Sequence, residues 1–134
     1  MTFKFINPTS LGKPIGYSNG VLAEPGGRLL FVAGQIGWND QQQIVSASLV
    51  EQFEQALANV IAVISESGGR PEQIARLVIY VTDRTEYIDQ RQGIGERYRA
   101  LVGKHFPAMV LVEVKSLLDP NAKVEIEAIA VLNP

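Results

Sequence analysis

The chain has 134 residues, 46% of them hydrophobic and 19% charged, with a formal net charge of −2. That length fits one domain with a full core, and the composition argues against disorder. The lack of cysteine excludes disulfides, a thiol nucleophile and thiolate-bound metal; the single histidine, His105, excludes a histidine-rich zinc site; the charge gives no general attraction to nucleic acid.

Phe3–Ile6 reads as a short strand closed by Asn7-Pro8, and Thr9 to Ser18, rich in glycine and proline, reads as a loop. A second strand begins at Val21-Leu22-Ala23, and Pro25-Gly26-Gly27 is a turn signal. Arg28 to Ile36 follows, apolar on both faces, and the two strands are expected to form a hairpin with both faces buried. Gly37 to Gln43 is polar apart from Trp38 and reads as a loop.

Ser48 and Glu51 stand at capping-box spacing, and Phe53, Leu57, Val60 and Ile64 continue as a helical stripe that Gly68-Gly69 ends. Ile74 to Thr82 is a strand. Asp83 with Glu86 is a second capping pair, opening a helix from about Thr85 to Val102 with Tyr87, Ile94, Tyr98 and Leu101 facing inward. Gly93 and Gly95 weaken it by roughly 1 kcal/mol each, so curvature or close packing is expected there. Gly103 caps it, and His105 is expected at the helix end or surface.

Met109 to Val114 is a strand on which Val110, Val112 and Val114 are read as the core face, opposite Met109, Leu111 and Glu113. The last strand, Lys123 to Val131, alternates after the turn Asp119 to Ala122. Val124, Ile126, Ala128 and Ala130 form a small apolar core face. The other face mixes Glu125 and Glu127 with Ile129 and Val131, which is neither a plain solvent face nor a plain core face. A wet strand end or an ion pair is the plain role for these carboxylates.

The element order is β-β-β-α-β-α-β-β. Two helices cover one face of a sheet of about six strands, yet the strands are apolar on both faces. A monomer would expose a large apolar patch, so a closed homo-oligomer with sites between subunits is expected. No apolar run approaches a membrane span and no charged-then-apolar leader opens the chain, so a cytoplasmic location is expected.

Several segments together resemble the RidA/YjgF family over nearly the full length: Gly16-Tyr17-Ser18-Asn19, Ala33-Gly34-Gln35-Ile36, Gln52, Asn59, Val81-Thr82-Asp83, Phe106-Pro107-Ala108 and Val124 to Ala130. Each is weak alone; their order and spacing carry the likeness. The resemblance implies an α+β, chorismate-mutase-like fold, a homotrimer with clefts between subunits, and hydrolysis of reactive enamines or imines, such as 2-aminoacrylate, to a keto acid and ammonia. It implies no metal or organic cofactor. It casts Glu125 as the group that positions or activates water. Tyr17 and Ser18 line the cleft, and Gly34, Gln35 and Ile36 form part of its wall. Trp38 is a candidate to reach the same cleft, with packing as its plainer role.

The resemblance also implies an arginine, gripping a substrate carboxylate, where this chain has Met109. Methionine offers no donor, and losing hydrogen bonds to a charged group costs about 1.5–3 kcal/mol, or roughly tenfold and more in binding. Standard 2-imino-acid deamination is therefore expected to be lost or weak. The cleft would serve a different ligand, or Arg97 or Arg99 would replace the missing cation. The plainer reading of Met109 is a core gap-filler.

Ser18 has no base beside it, which argues against a serine hydrolase. Three functions remain: an enzyme acting on a C=N bond through Glu125, a non-catalytic trimer binding a small metabolite or partner, and an endoribonuclease or translation inhibitor. The acidic balance and lack of a basic-aromatic platform argue against the third.

Overall fold

The computed structural model describes residues 2–134. Six strands form: β1 (Thr2–Ile6), β2 (Gly20–Glu24), β3 (Arg28–Ile36), β4 (Ile74–Val81), β5 (Ala108–Glu113) and β6 (Val124–Leu132). The helices are α1 (Leu49–Glu66), α2 (Arg84–Asp89) and α3 (Arg91–Val102). Among the described residues no helix is long and apolar enough to cross a membrane.

The strands make two sheets rather than one of six. The larger has the order β3-β6-β4-β5, and β1 pairs only with β2. β6 lies antiparallel to both neighbours, whereas β4 and β5 are parallel, so the sheet is mixed. The expected hairpin between β2 and β3 is not formed. The turn residues Pro25-Gly26-Gly27 break the chain as read, but a turn signal does not specify a strand's partner. β2 instead runs antiparallel to β1, from Ile6↔Gly20 to Thr2↔Glu24. Its entry is tied to β5: the Ser18 N–H donates to Pro107 O (3.1 Å) and the Ser18 hydroxyl to Phe106 O (2.7 Å).

α1 starts where its caps predict, with the Glu51 N–H donating to Ser48 Oγ (3.3 Å). Its stripe Phe53, Leu57, Val60 and Ile64 is buried against the larger sheet. Asp83 caps α2 through the Glu86 N–H, and that helix stops at Asp89. The expected single helix is thus divided at Gln90, whose φ of −101° and ψ of 10° leave the helical region. Gly93 permits close packing as expected: a Cβ there would lie 3.3 Å from Val50 Cγ2 of α1.

The helices cover one face of the larger sheet. Val124, Ile126, Ala128 and Ala130 point into that core, as their alternation requires. On β5 the assignment of faces is reversed from expectation. Met109 pairs with Leu77 and Leu111 with Ile79, so both face the helices, while Val110 and Val112 lie on the open side. Both faces of β5 are apolar, and alternation alone does not say which one meets the helices. The open face also carries Leu29 and Phe31, 62% and 71% exposed. β3 therefore buries one face within the chain, not two.

His105 corrects another expectation. It is buried, its Nε2 lies 2.7 Å from Ile74 O, and its ring stacks on Phe3. The displaced β1 covers it, which explains why the sequence position after a helix misled.

Candidate functional site

The two faces of the larger sheet divide the candidate residues. On the open face, Glu125 and Glu127 project from β6, Glu125 paired in register with Tyr80 of β4 and Glu127 with Val78. Glu127 is engaged: the Tyr80 hydroxyl donates to its Oε1 at 2.5 Å. That bond, then burial, then the negative charges of Glu127 and Glu125, hold the Tyr80 phenol above its ordinary value. Glu125 is different. Among the described residues it enters no ion pair, and its carboxylate takes no hydrogen bond from the chain.

Glu125 lies across Gly34, at the β-bulge between Val32 and Gln35. A Cβ on Gly34 would stand 2.8 Å from the carboxyl carbon of Glu125, so the glycine provides the room in which this carboxylate sits. Gln35 turns its amide to Ala33 O (3.1 Å) and Ile36 is buried. Trp38 leaves β3 in a loop held by Asn59 of α1, whose Nδ2 donates to Ile36 O (3.2 Å) and Trp38 O (3.0 Å). This pins the backbone wall beside Gly34 to the first helix.

On the helix-covered side a cavity of about 510 Å³ opens between α2–α3, β4–β5 and the loop before β2. Tyr17 and Met109 line it; Glu125, Gly34 and Trp38 do not. Its apolar lining includes Ile79, Leu111, Phe53 and Ile94, and its aromatic lining includes Tyr87, Tyr98 and Phe106. The Tyr98 ring stacks on Phe106, and its hydroxyl donates to His105 O at 2.6 Å. Burial raises the Tyr98 pKa, and it also raises that of Tyr87, where the Arg91 charge acts in the opposite direction. Ser18, buried and bonded to Phe106 O, anchors the segment that presents Tyr17.

Arg99 lines this cavity, but Arg97 does not. Arg97 pairs with Glu54 of α1 at 3.2 Å. The sequence reading missed Arg91, which lines the cavity beside Tyr87. The signal was the spacing Arg91, Gly95, Arg99, which places both arginines on one helical stripe. A wider cavity of about 850 Å³ lies between the loops around Gln42 and Ser116, and none of the candidate residues lines it. Among the described residues no cluster of acidic or histidine side chains could hold a metal ion.

Such a sheet, helix-covered on one side and carrying a free carboxylate on the other, defines a small α+β domain with a cavity at the edge of the sheet. The endoribonuclease L-PSP family model matches residues 10–132, and the chain belongs to the RidA/YjgF family that this model describes. It is 37% identical over 102 residues to a RutC family protein of Aquifex aeolicus, covering 76% of this chain and 79% of that one. It is 32% identical over 108 residues to the 2-iminobutanoate/2-iminopropanoate deaminase of Escherichia coli K12, covering 78% and 80%. Among solved structures, a Rid family protein of unknown function from Yersinia pestis superposes with a TM-score of 0.86 at 32% identity, covering 98% of this chain and all of that one.

Proposed function

We propose that this chain forms a homotrimer whose clefts between subunits hydrolyse a small enamine or imine other than the standard 2-imino acids. The contrast between the two glutamates carries the reading: Glu127 is held by Tyr80, whereas Glu125 is left without a partner in the space Gly34 provides. A carboxylate so placed can orient a water and accept its proton. The water oxygen bonds to the C=N carbon while its proton passes to Glu125 and the nitrogen takes a proton. The resulting carbinolamine breaks its C–N bond, releasing ammonia and a carbonyl compound. An enamine is first protonated on carbon to give the imine. No step calls for a metal or organic cofactor.

The trimer is supported by the exposed apolar side chains of the open face, Leu29, Phe31, Val110 and Val112, which a neighbouring copy would cover. The names of deaminase relatives support the reaction class. The absence of a donor at Met109 supports a substrate other than the standard 2-imino acids. That same residue favours a second reading, a trimer that binds a metabolite without turning it over.

Ammonia release should be followed with 2-aminoacrylate generated in place from serine by a dehydratase, and with imines generated in place from bulky apolar amino acids by an amino acid oxidase with O2. We expect release with the bulky series, abolished in Glu125→Gln and retained in Glu127→Gln. Equal activity in wild type and Glu125→Gln would refute the catalytic role, and silence in every case would select the binding reading.

A further inference from the structure

The inner stripe of α3 is Arg91, Ile94, Gly95, Tyr98 and Arg99, at helical spacing along one wall of the 510 Å³ cavity. Its middle is apolar and aromatic; a cation stands at each end. Both arginines are exposed, so their guanidinium groups lie at the rim, not within the core. Arginines on a helix surface are ordinarily solvated or paired with carboxylates, and Arg97 on the same helix is paired with Glu54. Arg91 and Arg99 are not: among the described residues neither enters an ion pair, and no aspartate or glutamate lines the cavity. Arg91 donates through Nε to Ile88 O at 3.1 Å, which fixes the side chain and leaves its terminal nitrogens free. Arg99 folds back over Gly95. A Cβ there would stand 3.1 Å from Nη1, so the glycine clears the seat of that guanidinium.

From this juxtaposition we infer that Arg91 and Arg99 form an anion grip at the mouth of the cavity, which accepts a small carboxylate with an aromatic or branched apolar body. The carboxylate bonds to the free guanidinium nitrogens at the rim through charge-assisted hydrogen bonds that a guanidinium can make in pairs. The body enters among Tyr87, Tyr98, Phe106, Leu111 and Met109. Here Met109 serves as apolar wall, and its thioether suits an aromatic neighbour. The volume lies within the range of drug-sized ligand sites, so the smallest carboxylic acids would leave most of it unfilled. The inference rests on reading this cavity as a small-molecule site but not on turnover.

Phenylacetate and its neutral isostere phenylacetamide are suitable probes, titrated calorimetrically against the intact protein. Wild type should bind phenylacetate more tightly than the amide, with affinity falling as salt rises. Arg91→Gln and Arg99→Gln should each weaken phenylacetate about tenfold or more, with no effect on the amide. Arg97→Gln is the control and should bind as wild type does. Equal binding of acid and amide, no binding of either, or an equal loss in Arg97→Gln would overturn the grip. Glu125→Gln keeps the two claims apart, since it should stop ammonia release while phenylacetate binding still depends on Arg91 and Arg99. Arginine-dependent binding without ammonia release would sink the catalytic reading alone.

Discussion

The two faces of the larger sheet are built from the same kinds of residue and meet opposite fates. Toward the helices, Leu77, Ile79, Ile126 and Ala128 are almost wholly buried by the chain's own α1 and α3. On the other side, Leu29, Phe31, Val110 and Val112 stand exposed beside Glu125 and Glu127. Side-chain type therefore does not show which face a chain covers for itself. The number of helices does: they suffice for one face only. What sets the open face apart is not its apolar content but Glu125, a carboxylate that takes no partner among the described residues.

The largest effect should come from Leu57, fully buried on α1. Leu57→Ala should cost about 2–5 kcal/mol through lost burial and a residual cavity, at any protein concentration. Phe31→Ala, on the open face, should shift the denaturation midpoint only through assembly, so its effect should shrink as protein is diluted toward monomers. Denaturant titrations at several concentrations test both. A Phe31→Ala loss independent of concentration, or no loss at any concentration, would remove the distinction between a face that the chain buries and a face that copies bury.

Gln52 tests how the helix face is joined to the loops. It is fully buried, and its amide donates to Ser46 O (2.8 Å) and Asn121 O (3.1 Å) and accepts from the Lys123 N–H (2.8 Å). Gln52→Ala strands these backbone groups, and a buried unsatisfied group costs about 1–3 kcal/mol. We expect a loss in that range by denaturation, well above that of Gln55→Ala, whose partner Asn59 lies on the same half-buried surface. A loss no greater than Gln55→Ala would mean that water reaches these groups.

Much of this architecture was legible. The alternation of Val124 to Ala130 assigned both faces of β6, and the stripe from Phe53 to Ile64 assigned the inner face of α1. Glu125 and Gly34, named apart in the sequence, meet across a bulge. Where both faces of a strand are apolar, as on β5, periodicity gives the period but not the phase, and Met109 was assigned to the wrong side. Pairing was the other failure: Pro25-Gly26-Gly27 announces a turn, but the partner of β2 is decided by contacts of Ser18, Phe3 and Phe5 far along the chain. Arg91 was missed because a charged residue between Tyr87 and Ile94 reads as solvated, although α3 carries one stripe from it to Arg99.

The smallest of these effects separates two hydroxyls by pH, the buried Tyr98 and the part-buried Tyr80. Tyr98, on the helix side, has its pKa raised above 10.0 by burial. The unfolded chain releases this proton near 10.0 and the folded chain does not. The stability so contributed is complete below pH 10 and is lost as pH rises toward the folded value. Tyr98→Phe removes a hydrogen bond to His105 O, worth about 0.5–1.5 kcal/mol at neutral pH, and should also flatten the alkaline decline. Tyr80→Phe instead frees Glu127 on the open face and removes the other raised phenol, whose shift comes first from its hydrogen bond and only then from burial. If burial on the helix side is what protects Tyr98, its tyrosinate absorbance should appear only with unfolding. That of Tyr80 should appear earlier in Glu127→Gln than in the parent. Simultaneous titration of both phenols in the folded protein would mean that the helix-covered face is open to solvent after all.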